Sequence, residues 1–340
     1  MKRVYCMALA AMMGIGAYAQ SMQMEEYFDY ADRVGTPLIT DTVAKSDNFD
    51  GVTGWSTQAN NTAGATRFYI AEEPLEYEGY VGSGIGNALQ FRPEEKAGQA
   101  VFKPYAHGTK NDSTIYIAFL IRFEDNGLDC TGSDYFWGMK LENKAEDTNF
   151  GARIFAKVEH EINGHSMKGE EISMGIVKNS GGSTTWVTNK GPFLTFDKTY
   201  LFVVKYHVGV LNGATADEEA GHYDDEMWLY INPTIGTETE NTPALYNADP
   251  NCKDFWRLTS KGTEMGSART IYLRSGDAGS MPQYTIDGIR AANTWEEVLP
   301  IQEGLSSIEE THVKAIKTIR NGQIIITRGE KTYSVLGTEL

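Results

Sequence analysis

Apolar and polar residues alternate with a period of two along most of this chain. Ser113-Thr-Ile-Tyr-Ile-Ala-Phe-Leu-Ile-Arg-Phe-Glu124 predicts one long, largely buried strand. After a polar turn comes Tyr135–Leu141, then Ala152–Val158, Ile172–Val177, Thr184–Thr188, Tyr200–Val208, Met227–Ile231, Thr270–Arg274 and Tyr284–Arg290. These segments are rich in β-branched and aromatic residues and are bounded by Gly, Asn, Asp or Ser. Beyond the first nineteen residues no long segment carries a helical stripe. Many strands, 35 glycines for turns and almost no helix predict an all-β fold, an antiparallel jelly-roll β-sandwich. The series runs over ~270 residues, too long for a seven-strand immunoglobulin domain of ~100 residues.

The two ends read differently. Lys2 and Arg3 precede a short apolar run, Val4 to Ile15, and Ala17-Tyr-Ala19 offers a small-x-small cleavage site that leaves Gln20 first. That is the pattern of a secretory signal peptide, and the run is too short to span a bilayer. Cys6 lies too early to be a lipidated cysteine. The expected divisions are a signal peptide at 1–19, the sandwich at 20–299, a polar linker at 300–312 and a small β-meander at 313–340. In the last, Val313–Arg320 and Gln323–Thr327 flank Asn321-Gly322, a strong two-residue hairpin signal, and Thr332–Leu336 adds a third strand. Three strands of this length form a unit of marginal stability alone.

Charge narrows the partners. The chain carries 46 acidic and 30 basic residues, a net of −16, and losing Lys2 and Arg3 with the leader makes it −18. Such a chain is a poor match for nucleic acid or anionic lipid, and suits solubility, cation binding or glycan partners. Cys130 and Cys252 are the cysteines left after the leader. An exported location permits a disulfide between them, and two separate thiols remain the other reading. Two cysteines exclude a disulfide-rich scaffold and a four-thiolate zinc site.

Catalytic motifs are few. His160-Glu-Ile-Asn-Gly-His165 places its histidines at i and i+5, where a zinc protease needs i and i+4 on one helical face, and Asn163-Gly164 reads as a turn between strands. Gly82-Ser-Gly-Ile-Gly86 lacks the βαβ context and the Gly-Lys-Ser/Thr ending of nucleotide loops, so a tight turn is expected. No Gly-x-Ser-x-Gly elbow is present. No Glu-x-Asp-x-x-Glu run, diagnostic of a sandwich glycosidase, is present, and Glu170-Glu171 and Glu296-Glu297 are adjacent pairs that would point to opposite faces of a strand. Oxygen-rich loops around Asp47 and Asp50, and around Asp217 and Asp224, suit calcium, the one cofactor the sequence suggests, though neither has EF-hand spacing. The chain has 18 Tyr, 14 Phe and six Trp. Exposed flat rings stack on the apolar faces of sugars. Trp55, in a Gly/Ser/Thr-rich turn, and Trp186, in a short polar strand, are the expected glycan-binding rings, whereas Trp137 and Trp228 sit inside strands and read as core.

One ordered series of blocks carries a resemblance. It comprises Tyr27-Phe-Asp-Tyr30, Gly35-Thr-Pro-Leu38, Trp55, Leu75-Glu-Tyr-Glu-Gly-Tyr80 and Gly86-Asn-Ala88. It continues with Tyr116-Ile-Ala-Phe-Leu120, Ala152-Arg-Ile-Phe155, Tyr200-Leu-Phe-Val-Val-Lys-Tyr206, Trp228-Leu-Tyr-Ile-Asn-Pro233, Ile286-Asp-Gly-Ile-Arg290 and Trp295. Together these resemble secreted bacterial sandwiches of the concanavalin A-like lectin/glucanase, or laminin-G-like, type. The tail, Asn321-Gly-Gln-Ile-Ile-Ile-Thr-Arg-Gly and Tyr333-Ser-Val-Leu-Gly337, is similar to the end of type IX secretion sorting domains, which are usually longer. The resemblance implies a secreted or cell-surface β-sandwich that binds glycans or mediates adhesion, and transfers no catalytic residue. A polysaccharide hydrolase or lyase on the same fold is the alternative, and a structural surface protein with protein partners the third, since sandwiches host all of these.

Overall fold

The computed structural model describes residues 22–40, 50–57, 68–92, 99–106, 112–125, 130–141, 150–158, 161–162, 165–166, 171–178, 182–188, 190–209, 225–248, 268–276, 279–301, 316–320, 323–328 and 331–334. The chain divides into two units, Met1–Ile301 and Gln302–Leu340.

The larger unit is a β-sandwich of two eight-stranded antiparallel sheets. The first runs Leu245–Asn247, Glu226–Ile231, Thr199–Val208, Ser113–Glu124, Gln283–Ala292, Ala88–Phe91 and Phe68–Ala71, with Met22–Glu26 also paired to Gln283–Ala292. The second runs Thr185–Trp186, Glu171–Val177, Phe150–Lys157, Tyr135–Leu141, Ala268–Ser275, Gln99–Pro104 and Ser56–Thr57, with Leu194–Thr195 paired to Glu171–Val177.

Alternation along each strand builds the core. In Ser113–Glu124 the odd positions Ile115, Ile117, Phe119, Ile121 and Phe123 enter the layer between the sheets. Burying each such side chain contributes ~1.5–3 kcal/mol. Across that layer Phe119 stacks on Trp137 with ring centres 5.6 Å apart, and Phe123 meets Phe136 edge-on at the same distance. The even positions Tyr116, Ala118 and Leu120 are buried too, in a second cluster on the far side of the first sheet. There Leu75, Tyr80 and the short helix Trp295–Val298 cover the sheet, and Trp295 packs edge-on against Tyr230 at 5.0 Å. The Asp287 side-chain carboxyl pins this cover by accepting the Leu75 and Gly288 amide N–H groups at 2.8 and 2.6 Å. Burial on both faces explains why the sequence of this strand reads as one nearly unbroken apolar run.

Strands read from the period of two are present within a few residues of their expected bounds. Several were not foreseen: Met22–Glu26, Phe68–Ala71, Ala88–Phe91, Gln99–Pro104 and Leu245–Asn247. They are short and include polar residues. Glu161–Ile162 and His165–Ser166 pair antiparallel, so these residues are strands and not a metalloprotease helix.

The smaller unit is a three-stranded antiparallel meander of Ile316–Arg320, Gln323–Arg328 and Lys331–Ser334, in register at Ile319↔Ile324 and Ile326↔Tyr333. The leader, the 302–312 part of the expected linker and the Asn321-Gly322 turn lie outside the described residues. So does Cys252, whereas Cys130 is buried where it bridges to Val158.

Candidate functional site

The sequence-selected rings part company here. Trp55 is fully buried, which corrects its expected exposure. It stacks on Phe28 at 5.9 Å, and its Nε1–H donates to Glu26 Oε2 at 3.0 Å. The Met22–Glu26 strand, invisible to pattern reading, supplies that carboxylate. The buried Glu26 also accepts from the Phe28 amide, the Tyr30 hydroxyl and the Lys103 ammonium. Asp50 departs from the calcium expectation. It is 2 % exposed, and its oxygens accept from the Val52 and Thr53 amides and from Arg33. Burial opposes its charge, but these donors outweigh burial and hold its pKa below the usual carboxylate value. Asp47, Asp217 and Asp224 lie outside the described residues, among which no three acidic, histidine or cysteine side chains converge as metal ligands.

Trp186, by contrast, is half-buried on the outer face of the second sheet. It lies opposite Gly175 on the neighbouring strand. A Cβ at Gly175 would come 2.7 Å from Trp186 Cε3, so the absence of a side chain there is what lets the indole settle onto the sheet. On the next strand Arg153, Phe155 and Lys157 point outward, while Ile154 and Ala156 enter the core. Lys157 Nζ stands 4.4 Å from the centre of the Trp186 ring, and Phe155 is 6.1 Å from it.

Tyr135 continues the row. It is opposite Phe155, meets it edge-on at 5.7 Å, and meets Tyr272 edge-on at 5.6 Å. Two guanidinium groups share its ring: Arg153 Cζ is 4.5 Å from the centre and Arg274 Cζ 4.6 Å. Asp134 pairs with Arg274 at 2.8 Å. Tyr272, Phe102 and Ala100 complete a buried apolar floor. Gly138, opposite Tyr272, leaves room for that ring, since a Cβ would lie 2.6 Å from its Cε1. Burial above all, with the neighbouring Tyr135, raises the Tyr272 pKa far above the ordinary phenol value. Its hydroxyl keeps its proton and can donate a hydrogen bond, but cannot act as a base near neutrality.

The face is therefore an aromatic floor with Arg153, Lys157 and Arg274 standing on it and Asp134 at its margin. Cation–ring contacts of this kind contribute ~0.5–2 kcal/mol each and hold the cations in place before any ligand arrives. Of its residues only Trp186 was singled out from sequence. The readable signal was the alternation Arg153-x-Phe155-x-Lys157, which gives one strand face a ring between two cations. Nothing in sequence places Tyr135, Tyr272 and Arg274 beside it.

No protein-family model matches the sequence, and no curated protein matches it. Among solved structures, the T. cruzi calreticulin globular domain is similar over 82 % of this chain and 91 % of its own, at 8 % identity and a TM-score of 0.43. Alginate lyase Aly36B is similar over 79 % and 96 %, at 12 % identity and 0.41. The marine PL-14 alginate lyase from Aplysia kurodai is similar over 81 % and 100 %, at 8 % identity and 0.41. At these identities and scores none of them assigns a ligand or a reaction. No helix among the described residues is long and apolar enough to cross a membrane.

Proposed function

We propose that this chain is an exported, non-catalytic glycan-binding protein of concanavalin A-like type, and that its ligand is an acidic polysaccharide seated on the outer face of the second sheet. The observation that carries this reading is the pair of guanidinium groups on the Tyr135 ring beside Lys157 on Trp186, in a chain of net charge −16. A polyanion is repelled by most of such a surface and attracted where three cations gather. Guanidinium groups suit carboxylates through paired N–H donors, and the rings offer flat apolar faces to the C–H sides of sugars. Binding is favoured over a lyase because the buried Tyr272 holds its proton and the Asp134 carboxylate at the margin is engaged by Arg274 at 2.8 Å.

The test is titration calorimetry of residues 20–340 with polygalacturonate and alginate oligosaccharides. Arg153→Ala and Arg274→Ala should each weaken binding about tenfold, equivalent to ~1.4 kcal/mol, and added salt should weaken the parent protein. Affinity that is unchanged in both variants overturns the site assignment. Release of unsaturated, ultraviolet-absorbing ends from the same sugars would convert the reading to a lyase. Export is checked separately: the protein recovered outside the cytoplasm should begin at Gln20.

A further inference from the structure

The first sheet carries its own aromatic row on its outer face. Four residues stand opposite one another on successive strands: Tyr116, Lys205, Trp228 and Tyr246. Lys205 Nζ is 5.7 Å from the Tyr116 ring centre and 4.6 Å from that of Trp228. Trp228 and Tyr246 stack with centres 5.2 Å apart and planes 29° apart. Trp228 thus has Lys205 on one side and Tyr246 on the other. The strand Leu245–Asn247 is the last of its sheet, so Trp228 covers one side of the Tyr246 ring and no further strand of this sheet covers the other. Tyr246 is 45 % exposed, the sole aromatic among the exposed large apolar side chains of the described residues.

This ring is fixed in place. Its hydroxyl donates to Glu226, its inner face rests on Trp228, and its backbone is paired within a strand. A ring already immobilised loses little conformational entropy when a ligand stacks on it. The next row supplies hydrogen-bonding groups: Glu226, His207 and Thr114 lie opposite one another, with Thr114 Oγ1 and His207 Nδ1 3.1 Å apart.

Charge and breadth decide what fits. Lys205, the cation of the row, is paired with Glu238 at 2.6 Å, and Glu226 adds negative charge beside Tyr246. An acidic chain would be repelled. The other exposed large apolar residues, Val34, Val52, Ile85 and Ile301, are scattered along the chain, so one ring pair lacks the breadth of a stable protein interface. We propose that Tyr246, backed by Trp228 and flanked by Glu226, is a second saccharide site, selective for uncharged pyranose chains. The protein would then hold two chemically different glycans, one on each sheet.

The test titrates cellohexaose, xylohexaose and mannohexaose into residues 20–340. At least one should bind, and Tyr246→Ala should weaken that binding about tenfold or more, while Tyr246→Phe stays within about twofold because stacking survives. Arg153→Ala should leave it unchanged, which separates this site from the acidic-glycan face. Tyr246→Thr, which suits an edge strand, replaces the alanine variant if thermal melting shows alanine unfolds the edge. No binding of any of the three sugars, or full binding by both Tyr246→Ala and Tyr246→Thr, overturns the proposal.

Discussion

Gly175→Ala tests whether the seat of Trp186 matters as much as the ring itself. The added methyl would sit 2.7 Å from Trp186 Cε3, 2.8 Å from Cδ2 and 2.9 Å from Thr184 Cγ2. Carbon atoms in comfortable contact are ~3.5–4.0 Å apart, so the indole must rise by about 1 Å. The backbone of Glu171–Val177 is held between strands, so the two-residue strand Thr185–Trp186 is the part that yields. Overpacking of this sort costs about 1–3 kcal/mol, and at a sheet edge the lower figure applies. The sandwich should therefore stay folded with a modestly lower melting temperature. Lifting the ring also moves it relative to Lys157, now 4.4 Å from its centre, so affinity for polygalacturonate should fall about tenfold, ~1.4 kcal/mol. Calorimetry reads the affinity, and tryptophan fluorescence reports the displaced indole. If Gly175→Ala binds as well as the parent while Trp186→Ala does not, the ring acts without its seat. If both bind fully, Trp186 is outside the site.

Other expectations follow from buried charge. Glu26→Gln leaves Lys103 without its counter-charge and should lower stability, by chemical denaturation, toward the lower end of the ~3–5 kcal/mol typical of a broken buried pair, since Lys103 keeps some solvent. An unchanged denaturation midpoint would show that Thr53 O, 2.8 Å from Lys103 Nζ, suffices as its partner. Asp287 is governed by burial, which raises its pKa to about 8 against the pull of the Leu75 and Gly288 amides. Because the folded pKa exceeds the unfolded one, the native state binds the extra proton. Its stabilising effect is full below the unfolded value and is lost as pH rises through about 8. Asp287→Asn should flatten stability against pH between about 4 and 8, and a slope identical to the parent's would remove Asp287 as its source.

Much of the sandwich was legible because the strands that dominate it are long and regular. Ser113–Glu124 and Tyr135–Leu141 were read with the bounds the structure has. Met22–Glu26 and Phe68–Ala71 were not, because four- and five-residue strands give too few alternations. The site was less legible than the fold. The turn context of Trp55 suggested exposure, but its environment is set by Glu26, twenty-nine residues away, and Lys103, farther still. Tyr135 and Arg274 come together only because Tyr135–Leu141 and Ala268–Ser275 are neighbours in the sheet, a pairing no local pattern encodes. Tyr246 lies in a three-residue strand and owes its stacking to register with Trp228, which the sequence assigned to the core.

The two-faced burial of Ser113–Glu124 also sets a hazard during synthesis. Its hydrogen-bonding partners, Thr199–Val208 and Gln283–Ala292, emerge long after it, and until they do both of its edges lack a partner strand of the sheet. A twelve-residue β-prone run of this kind is the composition that self-associates into cross-β aggregates. Arg122 and Glu124, at its trailing end, are the only charges in the run, and with the flanking Asp112 and Asp125 they act as its gatekeepers. Such distant pairings close slowly, which lengthens the time this run is exposed to association with other chains.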